Sequence, residues 1–462
     1  MLPRATFQTF SAAAKPKRPI IKHSFKPIEI FLSSPSSPIS STTHTPSKSN
    51  HPRQQEEDQN PKRPCQSSSS SSLAAFVIAH NEHLATHILL RLPPKSLLRF
   101  QSVSKQWQSI ISNPTFRRLH SRRRPTTTAS CSPPGMLLFP FRFPRVLDFI
   151  AFRQEEVNSM ANIVSHLNTF LYGPRNILAL HSCNGLLAIV FDVDNREEFV
   201  VYNPTTRESK LVPIIETERS YRALNIVFDP EKSDHYKLVY TWLDTSGIYV
   251  HRISVYSSEN GVWRNTEETA TDDLCYDRGV SWNGDLHWIG PWNYSACFDV
   301  SNERLRPLRY TIRTPEFEEH GDDWYFGESG GHLFYIHPNE PYGTLLDFFE
   351  LESERDCLRW NVKYHVDLTP LTTLYPQMIK EEYDPTFDEP CAFYIIGFLV
   401  DDKEKKATLV ISLADKIISC DFNNLTLMEL ADVEVDTNYG FPDNDVYRWD
   451  FAFQHVETLA CL

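Results

Sequence analysis

Two adjacent prolines, Pro93 and Pro94, divide an otherwise helical stretch, because proline has no backbone N–H to donate and keeps the residue before it out of the helical region. One helix must end at this pair and another must start near Lys95. Upstream, Leu84, Ile88, Leu89 and Leu92 recur at helical spacing. Downstream, Val103, Trp107, Ile110 and Ile111 form a second helical stripe, which Asn113-Pro114 ends. About three short helices of this size bury only a modest fraction of their surface. Apolar side chains are therefore expected to remain for another protein.

From Ile88 to Phe116 the order I-L-x-R-L-P-x-K-S-L-L-R-F-x-x-V-S-K-x-W-x-x-I-I-S-x-P-x-F resembles the F-box of plant F-box proteins. The resemblance implies that residues 73–121 bind a Skp-type adaptor and, through it, a cullin of an SCF-type ubiquitin ligase. The adaptor-binding residues it implies are Leu84, Ile88, Leu89, Leu92, Pro93, Pro94, Leu97, Leu98, Val103 and Trp107. Where the family opens its first helix with Leu-Pro this chain has His80-Asn81, and His87 stands where a Glu is usual.

Charge divides the chain. The net of −13 over 462 residues combines a basic portion, residues 1–124, with an acidic remainder. The first carries 19 Lys and Arg against 5 acids, and the second 27 against 54. An acidic body is a poor match for nucleic acid, whose binding depends on Lys and Arg neutralising phosphates, and it favours basic or neutral partners. The cluster Arg117, Arg118, Arg122, Arg123, Arg124 is read as a solvated helix end. No run approaches the length of apolar residues needed to span a membrane, so no membrane partner is expected. Nine scattered cysteines without a C-x-x-C pair suggest neither a zinc module nor a disulfide framework, and a reducing compartment, nucleus or cytoplasm, is expected. The first 55 residues, with Glu29 as their only acid, also have an organelle-leader composition; the F-box resemblance outweighs it.

Residues 1–72 are Ser- and Pro-rich with few aromatics and are expected to be disordered. RRRPTTTASCSPPG, within 122–135, reads as a linker. Beyond it, residues 136–455 change to short aromatic and β-branched runs punctuated by Gly, Asn and Asp, such as GLLAIVF at 185–191 and YKLVYTWL at 236–243. Turn-strand-strand units recur: Asn184-Gly185 into Val201-Tyr202, Asp285–Ile289 into Ala296–Val300, Gly330-Gly331 into Phe348–Leu351, and Asp415-Lys416 into Cys420–Phe422. Their spacing predicts propeller blades, about six or seven. SCNGLL at 182–187 with VYNPTTRE at 201–208 is similar to the signature of the plant F-box-associated domain. The fold class expected is thus multidomain, a short all-α F-box followed by a mainly-β, propeller-like domain. Asn184-Gly185 and Asn203-Pro204 are read as turn and strand-end residues.

No constellation carries bond chemistry. Gly327-Glu328-Ser329-Gly330-Gly331 satisfies the string of a nucleophile elbow, but an elbow needs a helix after the serine, and an alternating strand pattern, His332–Pro338, follows. A hydrolase using Ser329 is therefore disfavoured. His181-x-Cys183 lacks further ligands at metal spacing, and no cofactor motif is present. Aromatics in expected loops, Trp242, Trp292, Tyr294, Trp324 and Tyr325, are the candidates for holding a target protein. Two functions remain: substrate receptor of an SCF-type ubiquitin ligase, or an interaction scaffold whose F-box no longer engages the adaptor.

Overall fold

An all-apolar run such as GLLAIVF, bounded by an Asn-Gly turn, fits a strand covered on both faces. The computed structural model describes residues 20–28, 81–122, 133–140, 146–171, 176–194, 196–215, 219–244, 250–270, 274–290, 294–308, 325–338, 343–354, 357–380, 391–401, 405–422, 426–434 and 449–462. The described chain starts with strand β1 (Ile20–Ile28) and continues through four helices, α1 (Glu82–Leu89), α2 (Pro94–Phe100), α3 (Lys105–Ser112) and α4 (Pro114–Ser121). The remaining strands form six antiparallel sheets, the blades of a β-propeller.

Blade one holds β2 (Gly135–Pro140), β3 (Asp148–Ala151) and the chain's last strand, β24 (Trp449–Gln454), in the order β24-β2-β3. Helix α5 (Val157–Leu171) follows β3 and packs on it. Blade two is β4 (Asn176–Cys183), β5 (Leu186–Val193), β6 (Arg196–Asn203) and β7 (Glu208–Val212). Blade three runs β8 (Arg219–Val227) to β11 (Val262–Ala270), with β9 (Lys237–Asp244) and β10 (Val250–Ser257) between. Blade four comprises β12 (Val280–Trp282), β13 (Asp285–Ile289), β14 (Ser295–Asp299) and β15 (Arg304–Leu308). Blade five comprises β16 (Tyr325–Ser329), β17 (His332–Pro338), β18 (Leu345–Glu354) and β19 (Cys357–Asp367). Blade six follows with β20 (Tyr394–Asp401), β21 (Lys406–Ser412), β22 (Lys416–Asp421) and β23 (Thr426–Glu434).

The core is divided among the seams between neighbouring blades. Leu187, Ile189 and Phe191 of β5 face blade one and α5, while Leu186, Ala188 and Val190 face blade three. Strand alternation thus sends successive side chains into two different apolar layers, which is why the run carries no polar face. The ring closes when β24 pairs with β2, Met136 opposite Gln454 and Leu138 opposite Ala452. Phe453 of β24 then meets His181 of β4 at 6.0 Å between ring centroids.

At residues 20–28, β1 corrects the expectation of a disordered stretch over residues 1–72; the rest of that stretch lies outside the described residues. Residues 20–28 add a fifth strand to blade six, antiparallel to β23, with Ile21 opposite Val433 and Ile28 opposite Leu427. The helical module likewise has four helices in place of three, because Asn113 both ends α3 and caps α4.

A buried neutral histidine ties blades together. His181 Nε2 lies 2.6 Å from Gly279 O, and its Nδ1 accepts the Ile226 N–H at 3.1 Å, so one neutral ring joins blades two, three and four. Burial pushes His181 and His455 down to about 4 and His287 to about 3. The unfolded chain binds protons at these rings as pH falls through about 6.5, whereas the folded chain does not until near 4. Their contribution is complete above that range and is lost at about 1.4 kcal/mol per pH unit per ring as pH falls. The thermal midpoint is expected to drop steadily from pH 6.5 to 5, with His181→Gln flattening the slope; a midpoint constant over that range would contradict the assignment.

Candidate adaptor and target surfaces

Three of the four helices of the basic module begin at a side chain that accepts a free backbone N–H, and α2 begins at a proline without such a cap. Asn81 Oδ1 accepts the Leu84 N–H at 3.0 Å, Ser104 Oγ accepts the Trp107 N–H at 3.1 Å, and Asn113 Oδ1 accepts the Thr115 N–H at 2.8 Å. Pro94 and Pro114 occupy first turns, where no N–H is needed. Asn81, which departs from the family pattern, is thus the cap of α1.

Ala85, Leu89, Leu90, Leu97, Ile110, Ile111 and Phe116 fill the module's core. Leu89 and Leu97 are 0% exposed, so two of the ten candidate adaptor contacts hold the helices together and offer no surface. The others divide by exposure. Leu84 and Ile88, one turn apart on α1, are each 38% exposed, and Val103 reaches 60%. Pro93 is exposed, and Pro94 is half-buried. Leu92, Leu98 and Trp107 are half-buried against the core, Trp107 edge-on to Phe100 at 5.4 Å.

An eighth buried residue in that core comes from the far end of the chain. Leu459 packs among the helices, and the flanking tail runs between the module and blade two. Arg117 Nε donates to Leu459 O at 2.8 Å, and its guanidinium forks onto Glu208 of β7, with Nη1 to Oε1 at 2.9 Å. Partial burial works to raise the Glu208 carboxyl, but Arg117 outweighs it and holds the group below its usual value. Lys95 pairs with Glu457 and, at 3.7 Å, with Glu156; Arg122 reaches Asp234 at 3.0 Å. Arg117 and Arg122 therefore dock the module on the propeller, which corrects the reading of a solvated helix end for these two; Arg118 is exposed as that reading expects, and Arg123 and Arg124 lie outside the described residues.

The propeller side of this joint is built from the two signature pieces. Asn203 is 0% exposed; its Nδ2 donates to Thr458 O and Ala460 O at 3.2 and 3.0 Å, while its Oδ1 accepts the N–H groups of Thr205 and Thr206. Asn184 and Gly185 turn with φ of 44° and 82°, and a Cβ on Gly185 would stand 2.3 Å from Val456 O. Residues expected only to end strands also form the seat of the tail. The sequence signal for the tail is the four-residue apolar run Leu459–Leu462, too short to single out.

Target candidates are placed differently from expectation. Trp242 lies in β9, not in a loop; it is 9% exposed, and its Nε1 donates to Ser254 Oγ at 3.0 Å. Tyr325 opens β16, and burial pushes its hydroxyl up to about 12. Trp242 fills an inward-facing strand position and Tyr325 is partly buried against the seam of blades five and six, so neither is an exposed loop residue. Tyr294 is half-buried against the cluster around Trp288. Trp292 and Trp324 lie outside the described residues.

Ser329 ends β16 before a turn in which Gly330 and Gly331 have φ of 65° and 92°, and strand β17 follows. Its Oγ accepts the Val400 N–H at 2.9 Å, so the hydroxyl joins blades five and six. Cys183 Sγ is shared with the Phe228 backbone at 3.3 Å. Among the described residues, no three His, Cys, Asp or Glu side chains converge as metal ligands, and no helix is long and apolar enough to cross a membrane.

Comparison with known proteins covers the same two parts. Residues 81–119 match the model of the F-box domain, and residues 138–319 that of the F-box associated beta propeller domain. An F-box protein of Arabidopsis thaliana is 30% identical over 410 residues, spanning 84% of this chain and 94% of its own length. A putative F-box protein of the same species is 26% identical over 349 residues, 70% of this chain and 84% of its own.

Proposed function

Because this chain belongs to the plant F-box proteins that carry an F-box-associated β-propeller, we propose that it is the substrate-recognition subunit of an SCF-type ubiquitin ligase. The helical module recruits a Skp-type adaptor and thereby a cullin, and the propeller holds a target protein. No bond is made or broken by the chain itself. It acts by effective concentration, converting the encounter of target and ubiquitin-charged enzyme into an event within one complex. The observation that carries this reading is apolar surface left on a docked module: Leu84, Ile88 and Val103 are exposed while Ala85, Leu89, Leu90 and Leu97 are used for the core. Seating by the C-terminal tail favours a fixed distance between adaptor and target, as a positioning function requires.

The proposed contacts are Leu84, Ile88, Leu92, Pro93, Pro94, Leu98, Val103 and Trp107. Ile88→Asp with Val103→Asp places charges on exposed positions and should leave folding intact while lowering adaptor co-purification by at least tenfold. Adaptor recovery equal to that of the unaltered chain would overturn the assignment. Tyr294, Trp292 and Trp324 remain the proposed aromatic anchors for the target. The acidic body is expected to steer a basic target surface toward them, so target association should slow as salt rises.

A further inference from the structure

Strand β1 is attached to the propeller in an unusual way. Its partner β23 (Thr426–Glu434) belongs to the last blade along the chain, and residues 29–80 separate β1 from the helical module. None of its nine residues is buried, and Ile20 is 52% exposed. Ile21, Phe25 and Ile28 only partly cover the apolar layers beneath them. The register breaks between His23 and Lys26, Phe25 takes φ of 49°, and Ser24 Oγ is enclosed without a hydrogen-bond partner. Main-chain pairing and a few polar contacts hold such a strand, and edge pairing of this kind is open to exchange.

The propeller's half of the contact is more elaborate than its ligand. Glu434 pairs with Lys22, and Glu429 approaches Lys26 at 3.9 Å. Glu429 is 8% exposed and is fixed from below by the Tyr375 hydroxyl at 3.1 Å and Lys416 at 3.3 Å. Across the seam, the Ala151 N–H of β3 donates to His23 Nε2 at 3.0 Å, and the Phe149 ring stacks on the imidazole at 4.9 Å. The edge thus presents a main-chain ladder, two carboxylates spaced to meet Lys residues four positions apart, and an outward N–H beside an aromatic face. These groups belong to blades six and one whether or not β1 is present.

We propose that the outer edge of blade six is a strand-addition site for an extended basic segment of a partner protein, which β1 occupies as a displaceable self-ligand. The proposal rests on the reading of the propeller as the part that holds a target, and it names the chemistry of the segment held. A strand tethered through a long connection competes at an effective concentration of only about millimolar or less, so a segment in trans with a better apolar fit can replace it.

The test compares the full chain with one lacking residues 1–28, using fluorescein-labelled peptide of the β1 sequence, IIKHSFKPI, followed by anisotropy. The shortened chain is expected to bind the peptide saturably and one to one, the full chain at least tenfold more weakly, and a peptide carrying Lys22→Glu and Lys26→Glu at least tenfold more weakly again. Full-length chain with Ile21→Asp and Phe25→Asp frees the edge without truncation and should bind like the shortened chain. No saturable binding to either freed chain, equal binding by the unaltered chain, or equal binding of the charge-reversed peptide would overturn the proposal. Adaptor co-purification measured on the same proteins separates the two readings: its loss with peptide capture intact counts against the ligase assignment alone.

Discussion

Leu459→Asp is expected to release the helical module from the propeller while leaving the six blades assembled. Leu459 is 1% exposed in the module's core, so the substitution removes a buried leucine and puts a carboxylate among Leu89, Leu97 and Phe116. Loss of the apolar contact and the cost of an unpaired buried charge together are on the order of 4 kcal/mol. With the tail displaced, Arg117 loses the Leu459 and Ala460 carbonyls it binds at 2.8 and 3.3 Å and keeps the half-exposed Glu208. Hydrogen exchange should accelerate across residues 81–121, with protection in β5, β9 and β21 retained. Leu459→Met, which keeps the volume, should behave as the unaltered chain. Unchanged protection in α1–α4 would show that the helices stand without the tail.

Gly185→Ala should have the second large effect. The position needs φ of 82°, which L residues rarely adopt, and its Cβ would fall 2.3 Å from Val456 O and 2.8 Å from Thr458 Cγ2. Strain at the turn and displacement of a backbone carbonyl together are expected to cost about 3 kcal/mol. The lesion lies in blade two, yet its readout should include faster exchange in the tail and in α4, because Asn203 and Gly185 seat the same segment. A fall in the thermal midpoint confined to the propeller, with the tail unaffected, would contradict this coupling.

How much was legible can be judged from particular elements. The helix start at Pro94 and the end of α3 at Asn113 follow from proline and asparagine chemistry within one turn, whereas the same Asn113-Pro114 pair also starts α4, which a stop signal alone does not announce. Asn184-Gly185 and Gly330-Gly331 fall where a blade's first strand meets its second, as hairpin turns should. Asp415-Lys416 has the same look but joins the second and third strands of blade six, so the repeat was visible and its phase was not. Turn chemistry marks a reversal without saying which reversal of the blade it is.

Exposure was less legible. Leu89 and Leu97 sit in the same apolar stripes as Ile88 and Leu98, and only the packing of α1 and α2 on α3 decides which face turns inward. Trp242 and Tyr325 adjoin polar residues, which suggested loops, yet strands β9 and β16 extend far enough to include both, burying Trp242 and half-burying Tyr325.

The sequence by itself determined the local elements, the division into a helical module and a repeated β body, and the family, because proline, glycine turns and strand alternation act over a few residues. Only the tertiary structure decided that β1 joins blade six, that β24 closes blade one and that Leu459 completes the F-box core. Those contacts link positions hundreds of residues apart, as Asn203 links to Thr458 and Arg117 to Leu459. Each rests on shape and hydrogen bonding that exist only once the ring has formed, so neither partner's own sequence names the other.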